Sequence, residues 1–146
     1  MNNLLKLLVL LPSVLFLVTG VRWLVAPASV AAEFGLTLAE GIGRSSQIGD
    51  MSAFFLTLGG CMLIALISER RIWFYPPMMI LAVTAIGRAV AWLLHDAALT
   101  IGPIIVETAV ALMLLLVSRR FPQEPRTPTE CREPIESREP TESQVK

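Results

Sequence analysis

The sequence predicts an all-α protein: a four-helix transmembrane bundle with a short interfacial helix after the first span and a disordered C-terminal tail. Hydrophobic residues make up 54% of the chain and charged residues only 16%. A soluble domain has about 45–50% apolar and about 25% charged residues. Four apolar runs are each long enough to supply the roughly 20 helical residues that cross a bilayer core. Many of the charges fall instead in a polar segment at the end of the chain.

The bundle is predicted to occupy residues 1–121, with spans at about 4–25, 47–67, 73–95 and 99–118. For the first span a signal peptide is the alternative, because Lys6 precedes the apolar run and Ala26-Pro27-Ala28 resembles a cleavage site. The run is longer than the usual signal core of about 7–15 residues, which favours a span. Pro12 is expected to kink this helix, since neighbouring helices can satisfy the freed carbonyl.

A short helix is predicted over residues 27–34, with Pro27 at its start and Gly35 just past its end. We expect it to lie flat at the membrane interface or to fold over the mouth of the bundle. Residues 36–46 are predicted to form a loop before the second span. Within that span, Gly59 and Gly60 are small enough to let another helix approach closely.

Aromatic residues near the span ends predict an interfacial belt. A polar turn at 68–71 is followed by Trp73, Phe74 and Tyr75, residue types that are typical of the membrane–water interface. Trp23 and Trp92 are interpreted in the same way. The fourth span ends at Arg119-Arg120.

Residues 122–146 are predicted to be disordered, because they are rich in Pro, Glu, Arg, Ser and Thr and nearly lack apolar side chains. They contain a direct hexapeptide repeat at 132–137 and 138–143. Cys131 lies in this tail and Cys61 lies within a span, so no intrachain disulfide is predicted. No cysteine or histidine cluster indicates a metal site. No basic cluster with interleaved aromatic residues indicates nucleic acid binding.

The distribution of basic residues predicts the topology. Four spans put both termini on one side, and that side carries most of the basic residues next to span ends: Lys6, Arg70, Arg71, Arg119 and Arg120. The positive-inside rule counts such residues and places that side in the cytoplasm. We therefore expect a multi-pass membrane protein with cytoplasmic N- and C-termini.

Four charged residues fall inside the predicted spans: Arg22, Asp50, Arg88 and Glu107. At 1.5 Å per residue they lie about 4–5, 5, 9 and 12 Å from the outer ends of their spans, all in the outer half of the membrane. Each hairpin carries an arginine on its outward helix and an acid on its return helix. Charge facing lipid is costly, so we expect Arg22–Asp50 and Arg88–Glu107 to meet in the bundle interior.

Other polar residues are secondary candidates. Thr84, Arg88, Trp92 and His95 share one helix face, and Arg44 lies in the predicted outer loop. His95 next to Asp96 suggests a general base, but a helix C-terminus favours an imidazolium in any case. The sequence therefore predicts no catalytic residue and no cofactor.

Two interpretations of the buried charges stay open. In the first, the pairs only fix helix register, since interhelical polar contacts in membranes contribute about 0.6–2 kcal/mol. Alternatively they line a polar pocket, because ionisable residues inside a membrane are functional candidates. In the leading hypothesis the pocket binds an amphipathic small molecule, such as a lipid head group, an isoprenoid or a quinone. Arg22 and Arg88 contact its polar atoms while Asp50 and Glu107 hold the guanidinium groups.

Two other functions are also considered. One is a membrane scaffold that packs against another membrane protein, or against a second copy, and recruits a soluble partner through the tail. The other is a proton-coupled or small-solute carrier that uses Asp50 and Glu107. An enzyme is not predicted, because the chain has no nucleotide-binding loop, nucleophile elbow or metal cluster.

Four short elements carry a resemblance to a known family: Arg22-x-x-x-x-Pro27, Gly49-Asp50, Gly87-Arg88 and Val106-Glu107. Through them, residues 4–118 resemble a family of small four-helix bacterial membrane proteins of unknown function, akin to the DoxX-like group. The resemblance implies a four-helix bundle in the cell (inner) membrane and supplies no activity. Some DoxX-like proteins are associated with quinone-linked sulfur oxidation, but this sequence carries no redox motif.

Overall fold

The computed structural model describes residues 3–120, and these residues form helices and turns with no strand among them. The helices are α1 (Asn3–Val25), α2 (Pro27–Glu33), α3 (Gly41–Ser68), α4 (Tyr75–Leu94) and α5 (Ile101–Ser118), with a 3-10 turn at Arg71–Phe74 before α4. Four segments, containing α1, α3, α4 and α5, are long and apolar enough to span a membrane. The predicted all-α, four-span architecture is confirmed. The predicted disordered tail, with Cys131, lies outside the described residues.

The closest packing in the bundle lies between α1 and α3. Ser13 Oγ donates a hydrogen bond of 2.8 Å to the buried carbonyl of Gly59. A Cβ placed on Gly59 would lie only 2.7 Å from the Ser13 carbonyl oxygen. Further along α1, a Cβ placed on Gly20 would lie 3.0 Å from the backbone nitrogen of Leu56 on α3. The small residues therefore let two backbones touch, as predicted for Gly59, and they lock α1 and α3 into one unit.

The bundle consists of two helix pairs, α1 with α3 and α4 with α5, which join through an apolar cluster. Its buried members are Val9, Leu58, Met62, Ala65, Phe74, Leu81, Leu114 and Val117. At the end of the bundle where this cluster lies, Lys6 Nζ is 2.7 Å from Glu69 Oε1. We call this the termini end, because α1 begins there and α5 finishes there. The opposite end, which carries α2, is called the α2 end.

Helix α2 folds back over the bundle at the α2 end. Pro27 takes its first position, where a missing N–H is harmless, and Gly35, with φ of +68°, follows its end. Val30 and Ala31 are buried in a second apolar cluster with Trp23 and Phe55. Of the two placements predicted for this helix, the structure therefore shows the one over the bundle mouth.

Helix α3 begins at Gly41 rather than at residue 47, so the predicted loop 36–46 is shorter than expected. The extra turn is held by the side chain of Gln47, whose Oε1 accepts from the Ala39 N–H at 2.9 Å and whose Nε2 donates to the Thr37 carbonyl at 3.3 Å. Hydropathy misses this turn because polar contacts, not apolar burial, stabilise it.

Two of the predicted belt residues are in fact core residues. Trp23 and Phe74 are fully buried, and each completes one of the two apolar clusters. Both lie at helix ends, where the sequence pattern cannot distinguish an aromatic residue that faces lipid from one that faces a neighbouring helix. Trp73, Tyr75 and Trp92 are exposed on the surface of the bundle, so the belt prediction stands for these three residues alone.

The α1–α3 contact predicts a sharp difference between two adjacent glycines. Gly59→Ala should lower the thermal unfolding temperature, because overpacking against a backbone carbonyl costs about 1–3 kcal/mol. Gly60→Ala is the matched control, since nothing lies within 4 Å of its would-be Cβ. It should be neutral or stabilising, because Ala favours a helix over Gly. Equal unfolding temperatures of the two variants in detergent would contradict the close approach.

Candidate functional site: an ion-paired cavity between the two helix pairs

A cavity of about 740 Å³ lies between the two helix pairs in the α2 half of the bundle. Ligand pockets in proteins are about 300–1,000 Å³, so its volume suits a small organic molecule. Every helix contributes to the wall, which contains Leu15, Phe16, Thr19, Arg22, Glu33, Phe34, Met51, Phe54, Phe55, Leu58, Leu81, Thr84, Arg88, Pro103, Val106 and Glu107. Leu58 and Leu81 also belong to the apolar cluster at the termini end. The cavity therefore ends on that cluster.

The exposed part of the wall belongs to α1, α2 and α5. Leu15 on α1 is 63% exposed and Val106 on α5 is 56% exposed, whereas Phe55 and Leu58 on α3 are buried. The cavity is therefore bordered by exposed residues on α1, α2 and α5 and by buried residues on α3. In a bilayer the exposed apolar residues face the acyl chains, so an apolar molecule could reach the cavity without crossing water.

Arg88 on α4 and Glu107 on α5 form the predicted ion pair across the cavity wall. Arg88 Nε donates to Glu107 Oε1 at 2.9 Å, and Arg88 Nη1 makes a longer contact of 3.4 Å with Thr100 Oγ1. The side chains are 33% and 11% exposed, respectively. Removing one partner of a buried pair leaves an uncompensated charge and typically costs about 3–5 kcal/mol. The pair therefore ties α4 to α5 and places two polar groups on the cavity.

The second carboxylate oxygen of Glu107 is an exception within this pair. Glu107 Oε2 is buried and makes no hydrogen bond to any residue between 3 and 120. A buried acceptor without a donor costs about 1–3 kcal/mol, and more when it is charged. Because the atom itself is buried, the carboxylate has to turn before Oε2 can meet a molecule in the cavity.

Arg22 is paired with Glu33 and not, as predicted, with Asp50. Its Nη1 donates to Glu33 Oε2 at 2.9 Å and its Nη2 donates to Glu33 Oε1. The chain reverses at Pro27, so the end of α2 returns beside the last turn of α1 and offers a two-pronged partner. Asp50 is exposed, lies outside the cavity wall and has no ion pair or hydrogen bond within the described chain.

The secondary candidates separate into two groups. Thr84 lines the cavity, and its Oγ1 donates to the Ile80 carbonyl at 2.8 Å. Trp92 and His95 are exposed further along α4 and do not line the cavity. Arg44 is also outside, where its Nε donates to the Ala39 carbonyl at 3.0 Å. Of the four residues on this helix face, Thr84 and Arg88 therefore line the cavity, whereas Trp92 and His95 lie outside it.

Sequence reasoning missed two kinds of cavity residue. Glu33 is one of them: it lies in the helix predicted over residues 27–34, and its contact with Arg22 depends on how the chain reverses at Pro27. Thr19 lies four residues after Leu15 and three before Arg22, a spacing that places all three on one helix face and was a usable signal. The aromatic wall was also missed, although Phe55 contacts three other rings with centroids 5.1–6.1 Å apart: Phe16, Phe34 and Phe54.

Chemically, the wall presents two neutral ion pairs and two hydroxyl groups on an apolar, aromatic surface. Within residues 3–120, no group of three or more His, Cys, Asp or Glu side chains could hold a metal ion. Comparison of the chain with protein-family models, with curated proteins and with solved structures found no match. The DoxX-like resemblance therefore stays a prediction, and the function has to be inferred from the cavity.

The Arg22–Glu33 pair predicts that α2 loosens in acid. The hydrogen bond from Arg22 lowers the pKa of Glu33 below its ordinary value, against a weaker opposing effect of desolvation. The pair thus contributes fully above the ordinary glutamate pKa and is lost as the pH falls through the lowered one. In a Trp73→Phe/Trp92→Phe variant, Trp23 is the only tryptophan and is buried beside α2. Acrylamide should quench its fluorescence more strongly as the pH falls through the lowered pKa of Glu33.

Two variants control this measurement. Glu33→Gln should show raised quenching already at neutral pH and no acid transition, because the titrating group is gone. Asp50→Asn should behave like the parent, because Asp50 is exposed and unpaired in the described structure. An acid transition that persists in Glu33→Gln would mean that another group controls α2.

Proposed function

We propose that this protein binds an amphipathic small molecule, such as a lipid head group, an isoprenoid or a quinone, in the cavity between its two helix pairs. One observation carries the proposal: a cavity of about 740 Å³ combines an aromatic, apolar wall with two ion pairs at the α2 end. Small-molecule sites have this composition, with a predominantly apolar lining and a few placed polar groups. The apolar part of the ligand lies against the phenylalanines, and its polar end lies near Arg88 and Glu107.

Exposed apolar residues in the cavity wall support a ligand that arrives from the membrane. Leu15 and Val106 are exposed in this wall, so a route past them is lined by apolar side chains. A molecule that is already dissolved in the bilayer can pass them without losing contact with hydrocarbon. A strictly water-soluble ligand would gain nothing from such a route.

In the proposed setting the chain lies in the cell (inner) membrane with both termini in the cytoplasm and the cavity in the outer half of the bilayer. Lys6 contacts Glu69 at the termini end, close to Arg70 and Arg71 in the sequence. Arg119 and Arg120 follow α5 at that same end. This concentration of basic residues supports the cytoplasmic assignment under the positive-inside rule.

The other two functions draw less support from the described residues. A carrier that uses Asp50 and Glu107 would need both acids on one pathway, but Asp50 lies outside the cavity wall. The cavity also ends on buried apolar residues, which favours a site that holds its ligand over a continuous path. The scaffold hypothesis depends on the tail, which lies outside the described residues, so it stays a prediction.

Filling the cavity tests the proposal directly. Thr84→Trp places a large side chain in the cavity wall, and Thr57→Trp makes the same change on an exposed part of α3 outside the wall. In native mass spectrometry from mild detergent, wild type and Thr57→Trp should retain a hydrophobic small molecule, and Thr84→Trp should lose it. A ligand-free wild type, or equal retention by the two tryptophan variants, would contradict the proposal.

A further inference from the structure

We infer that the ligand is a neutral amphiphile with a hydroxyl group that donates its hydrogen to Glu107, and not a molecule with an anionic head group. This inference rests on the proposed function, because it names the class of ligand that the same cavity takes. It follows from which charges and which hydrogens of the wall remain available to a ligand.

The charges of the wall are already balanced. The cavity wall contains two guanidinium groups and two carboxylates, from Arg22, Glu33, Arg88 and Glu107. Both terminal nitrogens of Arg22 are bonded to the two oxygens of Glu33, and Arg88 Nε is bonded to Glu107. An anionic head group would have to displace a carboxylate or lie beside one. Beside Glu107, which is largely buried, a low dielectric strengthens the repulsion. The electrostatics of the wall therefore favour a neutral polar group.

The two threonine hydroxyls of the wall have committed their hydrogens, whereas its two arginines keep N–H hydrogens that no described residue accepts. Thr19 Oγ1 donates to the Leu15 carbonyl and Thr84 Oγ1 donates to the Ile80 carbonyl, each at 2.8 Å. A hydroxyl group has one hydrogen, so these two side chains offer only lone pairs to the cavity. A carboxylate likewise only accepts hydrogen bonds. The wall therefore has free donors on its two arginines and a free acceptor on Glu107. A ligand that satisfies the acceptor has to supply a hydrogen, as an alcohol or a phenol does and an ether or a quinone carbonyl does not.

Glu107 is the acceptor that most needs such a hydrogen. Its Oε2 is buried and unpaired within the described structure, while its Oε1 is held by Arg88. The terminal torsion of a glutamate is soft, so the carboxylate can turn its free oxygen towards the cavity while Arg88 keeps the other. The ligand oxygen can then accept from Arg88 Nη1, whose contact with Thr100 is long at 3.4 Å.

The inference is tested with three probes: farnesol, farnesyl methyl ether and farnesyl phosphate. They share one hydrocarbon tail and differ only in the polar end. They compete at equal concentrations for the purified full-length protein, and native mass spectrometry reports the bound populations. Farnesol should exceed both other probes about tenfold or more, as expected when a hydrogen bond to a charged group is lost. Thr84→Trp should bind none of the three.

A variant then links the preference to Glu107. Glu107→Gln replaces an acceptor oxygen by a donor nitrogen, so the ratio of farnesol to its ether should fall about tenfold or reverse. Asp50→Asn makes the same chemical change outside the cavity and should leave the ratio unchanged. The wild-type comparison needs no variant, so it decides the question even if Glu107→Gln fails to fold.

The failures of the two proposals are distinguishable. Equal binding of alcohol and ether, or tightest binding of the phosphate, would overturn the assignment of the ligand class and leave the cavity as the binding site. An unchanged ratio in Glu107→Gln would overturn the role of Glu107 in the same way. No binding of any probe, together with a ligand-free wild type, would overturn both the ligand class and the proposed function.

Discussion

The pairing of charges inside apolar helices is the constraint on which this structure depends. A guanidinium or a carboxylate that faces hydrocarbon is costly, and a single charge inside the bundle would be costly as well. Four charges meet these conditions by pairing Arg88 with Glu107 between α4 and α5, and Arg22 with Glu33 between α1 and α2. Asp50 on α3 is the exception, because it is exposed and unpaired among the described residues. Both pairs lie at the wall of one cavity, so the groups that hold the helices together are also those that a ligand would meet.

The cavity itself follows from how the two helix pairs are joined. Ser13 and Gly59 bring α1 and α3 into backbone contact, and an apolar cluster joins this pair to α4 and α5 at the termini end. At the α2 end the cavity lies between the helix pairs, and the phenylalanines and the two ion pairs form part of its wall. The bundle is therefore filled by an apolar cluster at the termini end and hollow at the α2 end, where α2 folds over it.

The architecture and one of the two ion pairs were predictable from the sequence. The architecture was predictable because span length and hydropathy depend on composition over many residues. The ion pair was predictable because Arg88 and Glu107 lie on consecutive spans at similar depths, so that they meet if both face the bundle interior. The Arg22–Glu33 pair was not predictable in this way, because it depends on the angle at which α2 leaves Pro27. Trp23 and Phe74 show the same limit: near a helix end, burial is decided by which neighbour covers the residue, and hydropathy does not contain that information.

The measurement that tests this account most directly is the distance between Arg88 and Glu107 in a lipid bilayer. Solid-state NMR can detect the dipolar coupling between a labelled Glu107 carboxyl carbon and Arg88 Nε, with Glu107→Gln to assign the signal. The account predicts a coupling that corresponds to a direct hydrogen bond, as in the 2.9 Å contact of the structure. Absence of that coupling, with Arg88 in contact with lipid acyl chains instead, would contradict the claim that these charges meet inside the bundle.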